Sequence, residues 1–135
     1  MFEAKQIEEG RVGRIVYGRM APNEDLVQGL QAICSAQGVR HALVRVGLGS
    51  LVDACLQSPS DRQIFVEGPA VEVLSLFGEL RTGADGQCTA DLCGVVVDAA
   101  GRVISGRFVS GLNPVFATFE VTLEEWLPAA ESGTV

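Results

Sequence analysis

Few side chains in this sequence can do chemistry, and their types narrow what that chemistry is. His41 is the one histidine. Its imidazole titrates near neutrality and suits a general base or a metal ligand. It follows Gly38-Val39-Arg40 at the start of an apolar run, however, where a surface or strand-end histidine is the commoner outcome. Ser75 has neither a neighbouring base nor a Gly-x-Ser-x-Gly elbow, which argues against a Ser-His-Asp hydrolase. Gly47, Gly49 and Ser50 offer a backbone concavity for an anion or a ligand carboxylate, with Arg45 and Arg107 to add charge. A tight turn accounts for the same residues equally well, and the other glycines of a dinucleotide-binding loop are missing.

Four cysteines are present, Cys34, Cys55, Cys88 and Cys93. Cys88 and Cys93 are too far apart for a Cys-x-x-Cys motif. The first ten residues, MFEAKQIEEG, lack the apolar stretch of a secretory signal. Free thiols in the reducing cytoplasm are therefore expected, with Cys34 and Cys55 as small core residues.

The elements that must position these groups follow from periodicity. The stretch Val71–Gly111 reads as three apolar runs joined by turns at Gly83-Ala84-Asp85-Gly86 and Ala99-Ala100-Gly101, which predicts an antiparallel meander. Before it, Arg11–Met20 reads as a strand, with Gly13 and Gly18 marking bulges. A helix is predicted over Glu24–Gln37, capped by Asn23 and stopped by Gly38. His41–Gly47 is predicted as a short buried strand, Gly49-Ser50 as a break, and Leu51–Gln57 as another strand. Ile64-Phe65-Val66 is an edge segment. After the Asn113-Pro114 turn, Val115–Trp126 alternates with period two and is predicted to extend the meander. The fold class is α+β: a mainly antiparallel sheet of six to seven strands with one principal helix. Residues 1–10 form an arm, 11–127 a single domain, and 128–135 a flexible tail.

Composition excludes several classes. The chain has 135 residues, is 47% hydrophobic and 20% charged, and carries a net charge of −7. That is too apolar for disorder. It also hints at apolar surface covered by other subunits. The basic residues are one Lys and nine scattered Arg, which disfavours nucleic acid as a partner. No run approaches the ~20 apolar residues of a membrane span. The aromatics Phe77, Phe108, Phe116, Phe119 and Trp126 are spaced for core and subunit interface rather than for base stacking.

Four segments together resemble the plant and prokaryote conserved (PPC) domain family. APNEDLVQGL resembles its PPGEDLLEAL helix start. GLGSL at 47–51 resembles its GIGSL segment. EGPAVEVLSLFG at 67–78 resembles its EILSLSG strand, and DAAGRVISG at 98–106 its DGRVxGG hairpin. The resemblance covers roughly residues 11–126. It implies a compact α+β fold assembled as a homotrimer, with contacts to other proteins. The DNA-binding AT-hook of plant members has no counterpart here.

Many prokaryotic members carry three histidines that resemble a zinc site similar to that of acetolactate decarboxylase. The matching positions here are Asp91, Cys93 and Arg107. Asp and Cys ligate metals, but Arg, always protonated, does not. Asp91 and Cys93 stand two apart on a predicted strand and share a face. An Asp91–Arg107 ion pair with a thiol packed beside it is the favoured role, and loss of the metal is favoured over an altered zinc site. The expectation is thus a non-catalytic, cytoplasmic homotrimer without a cofactor. It would bind a protein partner or a small anionic ligand in a cleft formed by Gly47, Gly49, Ser50, Asp91, Cys93 and Arg107. A metal-dependent lyase-like enzyme and a DNA-associated protein are the alternatives.

Overall fold

The computed structural model describes residues 7–129. Eight strands and one helix follow in the order β1 (Gly10–Met20), α1 (Leu26–Gln37), β2 (His41–Leu51), β3 (Ala54–Gln57), β4 (Gln63–Val66), β5 (Val71–Thr82), β6 (Cys88–Val97), β7 (Val103–Phe108) and β8 (Val115–Pro128). All eight strands form one sheet in the order β1-β8-β2-β5-β6-β7-β3-β4, with antiparallel pairing throughout. The architecture is the expected α+β, with one strand more than the upper expectation. The predicted arm and tail fall partly on residues 1–6 and 130–135, outside the described residues. Within them, β1 begins at Gly10 and β8 continues to Pro128.

The helix lies where its apolar stripe demands. Leu26, Val27, Leu30 and Cys34 are buried, and Gly29 leaves room for the Met20 side chain. The predicted cap needs correction. Asn23 sits in the left-handed region at φ 72° and does not cap. Asp25 does, accepting from the Gln28 N–H at 2.9 Å, so the helix begins at Leu26. Asp25 also accepts from the Asn113 N–H at 2.8 Å, a bond that local sequence cannot foretell. Gly38 closes the helix at φ 66°, and the Val39 N–H reaches the Cys34 carbonyl at 2.9 Å.

Two strand expectations are also corrected. Gly49-Ser50 is no break, because β2 runs unbroken from His41 to Leu51. It is not a fully buried strand either, since Arg45, Val46 and Leu48 are exposed. The chain turns instead after Leu51, where β2 ends before β3. The last strand does not extend the meander. β8 lies between β1 and β2, across the sheet from β7. Period-two patterning identifies a strand but not its neighbour.

The sheet has two unlike faces. The covered face packs α1 against Leu51, Leu80, Leu92, Val96, Phe119, Val121 and Leu123, all buried. Among the described residues, the other face carries no helix.

Asp98 shows how a turn is held. It closes the β6–β7 connection, accepting from the Ala100 and Arg102 N–H groups at 3.0 and 2.9 Å and from Arg102 Nε at 2.8 Å. These donors, the Arg102 N–H above all, hold its carboxyl below its ordinary pKa against the opposing effect of burial. A carboxyl with a depressed folded pKa stabilises the fold above its unfolded value of about 3.9, and that contribution disappears as pH falls through the lower folded value. Asp98→Asn is therefore expected to flatten the acid limb of the stability-versus-pH curve. Urea midpoints measured from pH 7 down to pH 2 check this, and an unchanged acid limb refutes it.

Candidate functional site

On the helix-free face, successive rows of side chains run across the strands. Phe77 on β5 faces Cys93 on β6, which faces Arg107 on β7. All three point outward, because Leu76, Leu92 and Phe108 beside them are buried. Glu79 faces Asp91 in the next row. Asp91 and Arg107 are therefore diagonal neighbours, and Arg107 Nε donates to Asp91 Oδ1 at 2.7 Å. That bond raises the pKa of the guanidinium above its ordinary value.

The Phe77–Cys93–Arg107 row floors an open groove of about 560 Å3. Gln57 and Pro59 wall it, brought in by the pairing of β3 with β7. Val95 and Ser105 complete the floor. The groove thus joins an apolar base to one cation and one thiol. The Asp91–Arg107 pair is well exposed, with side-chain accessibilities of 62% and 53%. Exposed pairs of this kind contribute about 0–1 kcal/mol. Exchanging Asp91 for another carboxylate on Arg107 therefore costs little.

Gly47, Gly49 and Ser50 lie elsewhere. They are on β2, which β5 separates from β6. Gly49 pairs with Val73 and Ser50 with Glu72, several residues along β5 from Phe77. Their glycines answer to packing. A Cβ on Gly47 would run into Leu76 and Phe119, and one on Gly49 into Phe119 and the Thr118 carbonyl. Gly49 moreover adopts φ 157°. Close approach of the core accounts for both glycines. The structure thus gathers Asp91, Cys93 and Arg107 and leaves the other three apart. The signal for Phe77 was present in the two-residue alternation of β5. Gln57 and Pro59 carried none, because long-range pairing brings them in.

His41 serves the sheet. Its Nε2 lies 2.9 Å from Glu79 Oε1, across the β2–β5 pair. Arg81 also bonds Glu79, and with His41 it keeps that carboxyl below its ordinary pKa despite burial. His41 lies in a separate cavity of about 320 Å3 with Arg40, Arg81 and Trp126. The Trp126 indole donates to Glu8 at 2.7 Å.

The donor set at the groove does not fit a metal ion. Arg107 is a permanent cation bonded directly to Asp91, which leaves Cys93 as the one unengaged donor type. Among the described residues, no group of three or more His, Cys, Asp or Glu side chains is placed to hold a metal. Nor is any helix among them long and apolar enough to cross a membrane.

The family model of the Plants and Prokaryotes Conserved domain matches residues 7–127. No curated protein matches the chain. Among solved structures, a hypothetical protein from Salmonella enterica is 25% identical, with a TM-score of 0.75 over 87% of this chain and 80% of its own. A plant- and prokaryote-conserved protein from Pyrococcus horikoshii is 21% identical, with a TM-score of 0.75 over 90% and 85%. A protein from Archaeoglobus fulgidus described as metal-containing is 19% identical, with a TM-score of 0.77 over 92% and 87%. At such identities the last two matches speak for the fold.

Proposed function

This chain belongs to the Plants and Prokaryotes Conserved domain family, and from that premise we propose that it is a non-catalytic homotrimer that holds a small anionic ligand, or an acidic group of a protein partner, in the groove at Arg107. The observation that carries this reading is the outward row Phe77–Cys93–Arg107, an apolar floor ending in a cation whose exposed partner Asp91 is readily displaced. The residues that line the groove include no histidine or carboxylate to act as a general base on Cys93 or Ser105, which supports binding over turnover.

Assembly draws on the same face. Leu48, Leu74, Phe77 and Phe116 are 63%, 56%, 54% and 44% exposed on strands that share it. Gly49 pairs with Val73, so Leu48 and Leu74 stand side by side one residue on. Apolar side chains placed together on an open sheet face suit burial against a second copy. Three copies is the number implied by the family.

Two measurements test the proposal. Sedimentation at micromolar concentration should give a mass three times that of one chain; a stable monomer overturns the assembly. Titration with butyrate and benzoate should shift the NMR signals of the Arg107 Nε–H and the Phe77 ring, and Arg107→Ala should abolish the response. Identical responses in the parent and the variant refute the groove.

A further inference from the structure

On the covered face, α1 brings two thiols to one cavity. Cys34 continues the buried stripe Leu26–Leu30, and it is 1% exposed. Cys88 opens β6 beside it, partly buried against the same core. Gln31, one helical turn before Cys34, ties the two elements together, its Nε2 donating to the Cys88 carbonyl at 2.8 Å. Both cysteines line a cavity of about 600 Å3 that opens between the C-terminal half of the helix and the β5–β6 turn. Arg40 lines the same cavity and donates to the Gly83 carbonyl at 3.3 Å. Cys55 and Cys93 lie elsewhere: Cys55 is on β3, and Cys93 faces the groove on the other side of the sheet.

We propose that Cys34 and Cys88 are a dithiol pair that a hydroperoxide converts into an intramolecular disulfide, fastening α1 to β6. The pairing divides the labour by exposure. Cys88 is partly exposed and open to solvent through this cavity. Cys34 is not reachable, and burial first, with Cys88 second, pushes its thiol up to about 11. Cys88 therefore reacts first and Cys34 resolves. In the first step the Cys88 sulfur attacks the outer peroxide oxygen. The O–O bond breaks, an alcohol or water leaves with a proton, and Cys88 becomes a sulfenic acid. In the second step Cys34 Sγ displaces the sulfenic oxygen. The S–S bond forms, the S–O bond breaks, and water departs with the Cys34 proton. The two thiols supply two electrons to the peroxide, and a small dithiol reverses the change.

Peptide mapping of the whole protein tests this. The protein is treated with tert-butyl hydroperoxide, its remaining thiols are blocked with N-ethylmaleimide under denaturing conditions, and the digest is sequenced by mass spectrometry. The expected product is a cross-linked pair joining Cys34 to Cys88, with Cys55 and Cys93 outside the link, reversed by dithiothreitol. Fragment spectra distinguish Cys88 from Cys93, which share a tryptic peptide. Cys88→Ser, at a partly exposed position, should give no link. Cys34→Ala should leave Cys88 as a sulfenic acid that dimedone traps. Four blocked thiols after oxidation, a bond to Cys55 or Cys93, or a bond between chains each overturns the proposal.

Discussion

Asn113→Ala is expected to destabilise the protein by about 2–4 kcal/mol, among the larger effects a single side chain can have. Asn113 is fully buried, yet its side chain is polar throughout. Its Oδ1 accepts from the Cys55 N–H at 2.8 Å. Its Nδ2 donates to the carbonyls of Val109 and Cys55 at 2.8 and 3.2 Å. Its own N–H reaches Asp25 Oδ1 at 2.8 Å, and its carbonyl accepts from the Leu26 N–H at 2.9 Å. One residue thus joins the start of α1, the start of β3 and the loop before β8. Alanine keeps the two backbone bonds and strands the Cys55 N–H, while the Cys55 and Val109 carbonyls lose one donor each and keep the Val109 and Leu112 N–H groups. A stranded buried group costs about 1–3 kcal/mol, each lost carbonyl bond about 0.5–1.5 kcal/mol, and neighbours in one network do not add fully. In urea the midpoint should fall by about 1–2 M with the slope unchanged. Protein concentration must be held fixed, because the proposed assembly would stabilise by mass action. Asn113→Asp keeps the shape but loses both side-chain N–H donors, so it should also destabilise; if it is neutral while alanine is not, the cavity and not the bonds is the cause. A loss under about 1 kcal/mol in both variants sinks the account.

Asn113 also marks where sequence reading stops. The Asn113-Pro114 pair announces a turn from composition alone, and the chain turns just before it, at Ser110-Gly111. Nothing local says that the turn is folded inward onto Cys55, fifty-eight residues away. The same division runs through the chain. The meander β5–β6–β7 was legible because its turns lie in sequence between the strands they join. The position of β8 was not, since pairing with β1 and β2 is settled by which edges remain free. The Gly47–Ser50 run was misread for a related reason. A glycine imposed by a tight turn and one imposed by a neighbour's ring are the same letter, and the neighbour here is Phe119, seventy residues later. At the groove, Asp91, Cys93 and Arg107 stood out as a group through the family resemblance, and two-residue alternation and one hairpin then fix their geometry. Its wall at Gln57 and Pro59 depends on β3 crossing to β7, which no short-range pattern encodes.

The open face gives the second large effect. Leu48→Arg is expected to raise the dissociation constant of the proposed trimer by about 100-fold or more, equivalent to roughly 3 kcal/mol. Leu48 is 63% exposed in the single chain, so the substitution itself should leave the fold within about 0.5 kcal/mol. Its cross-strand partner helps. Leu48 faces Glu120 on β8, which already accepts from the Tyr17 hydroxyl at 2.6 Å and from Arg19 at 2.7 Å. A guanidinium at position 48 has a carboxylate opposite it in the separated chain. Between subunits, every copy would have to desolvate that cation against apolar side chains. The penalty therefore falls on association and not on folding, which makes the test clean. Sedimentation across a concentration series should show the variant as a monomer where the parent is assembled, with unchanged far-ultraviolet circular dichroism. Leu112→Arg is the control. Leu112 is 45% exposed in the loop after β7, where Ser110 approaches Gln28 of α1, away from the open face. Equal sedimentation of Leu48→Arg and the parent at every concentration would mean that the apolar face is not where the copies meet. The exposed Leu74 and Phe77 would then belong to the groove's partner instead.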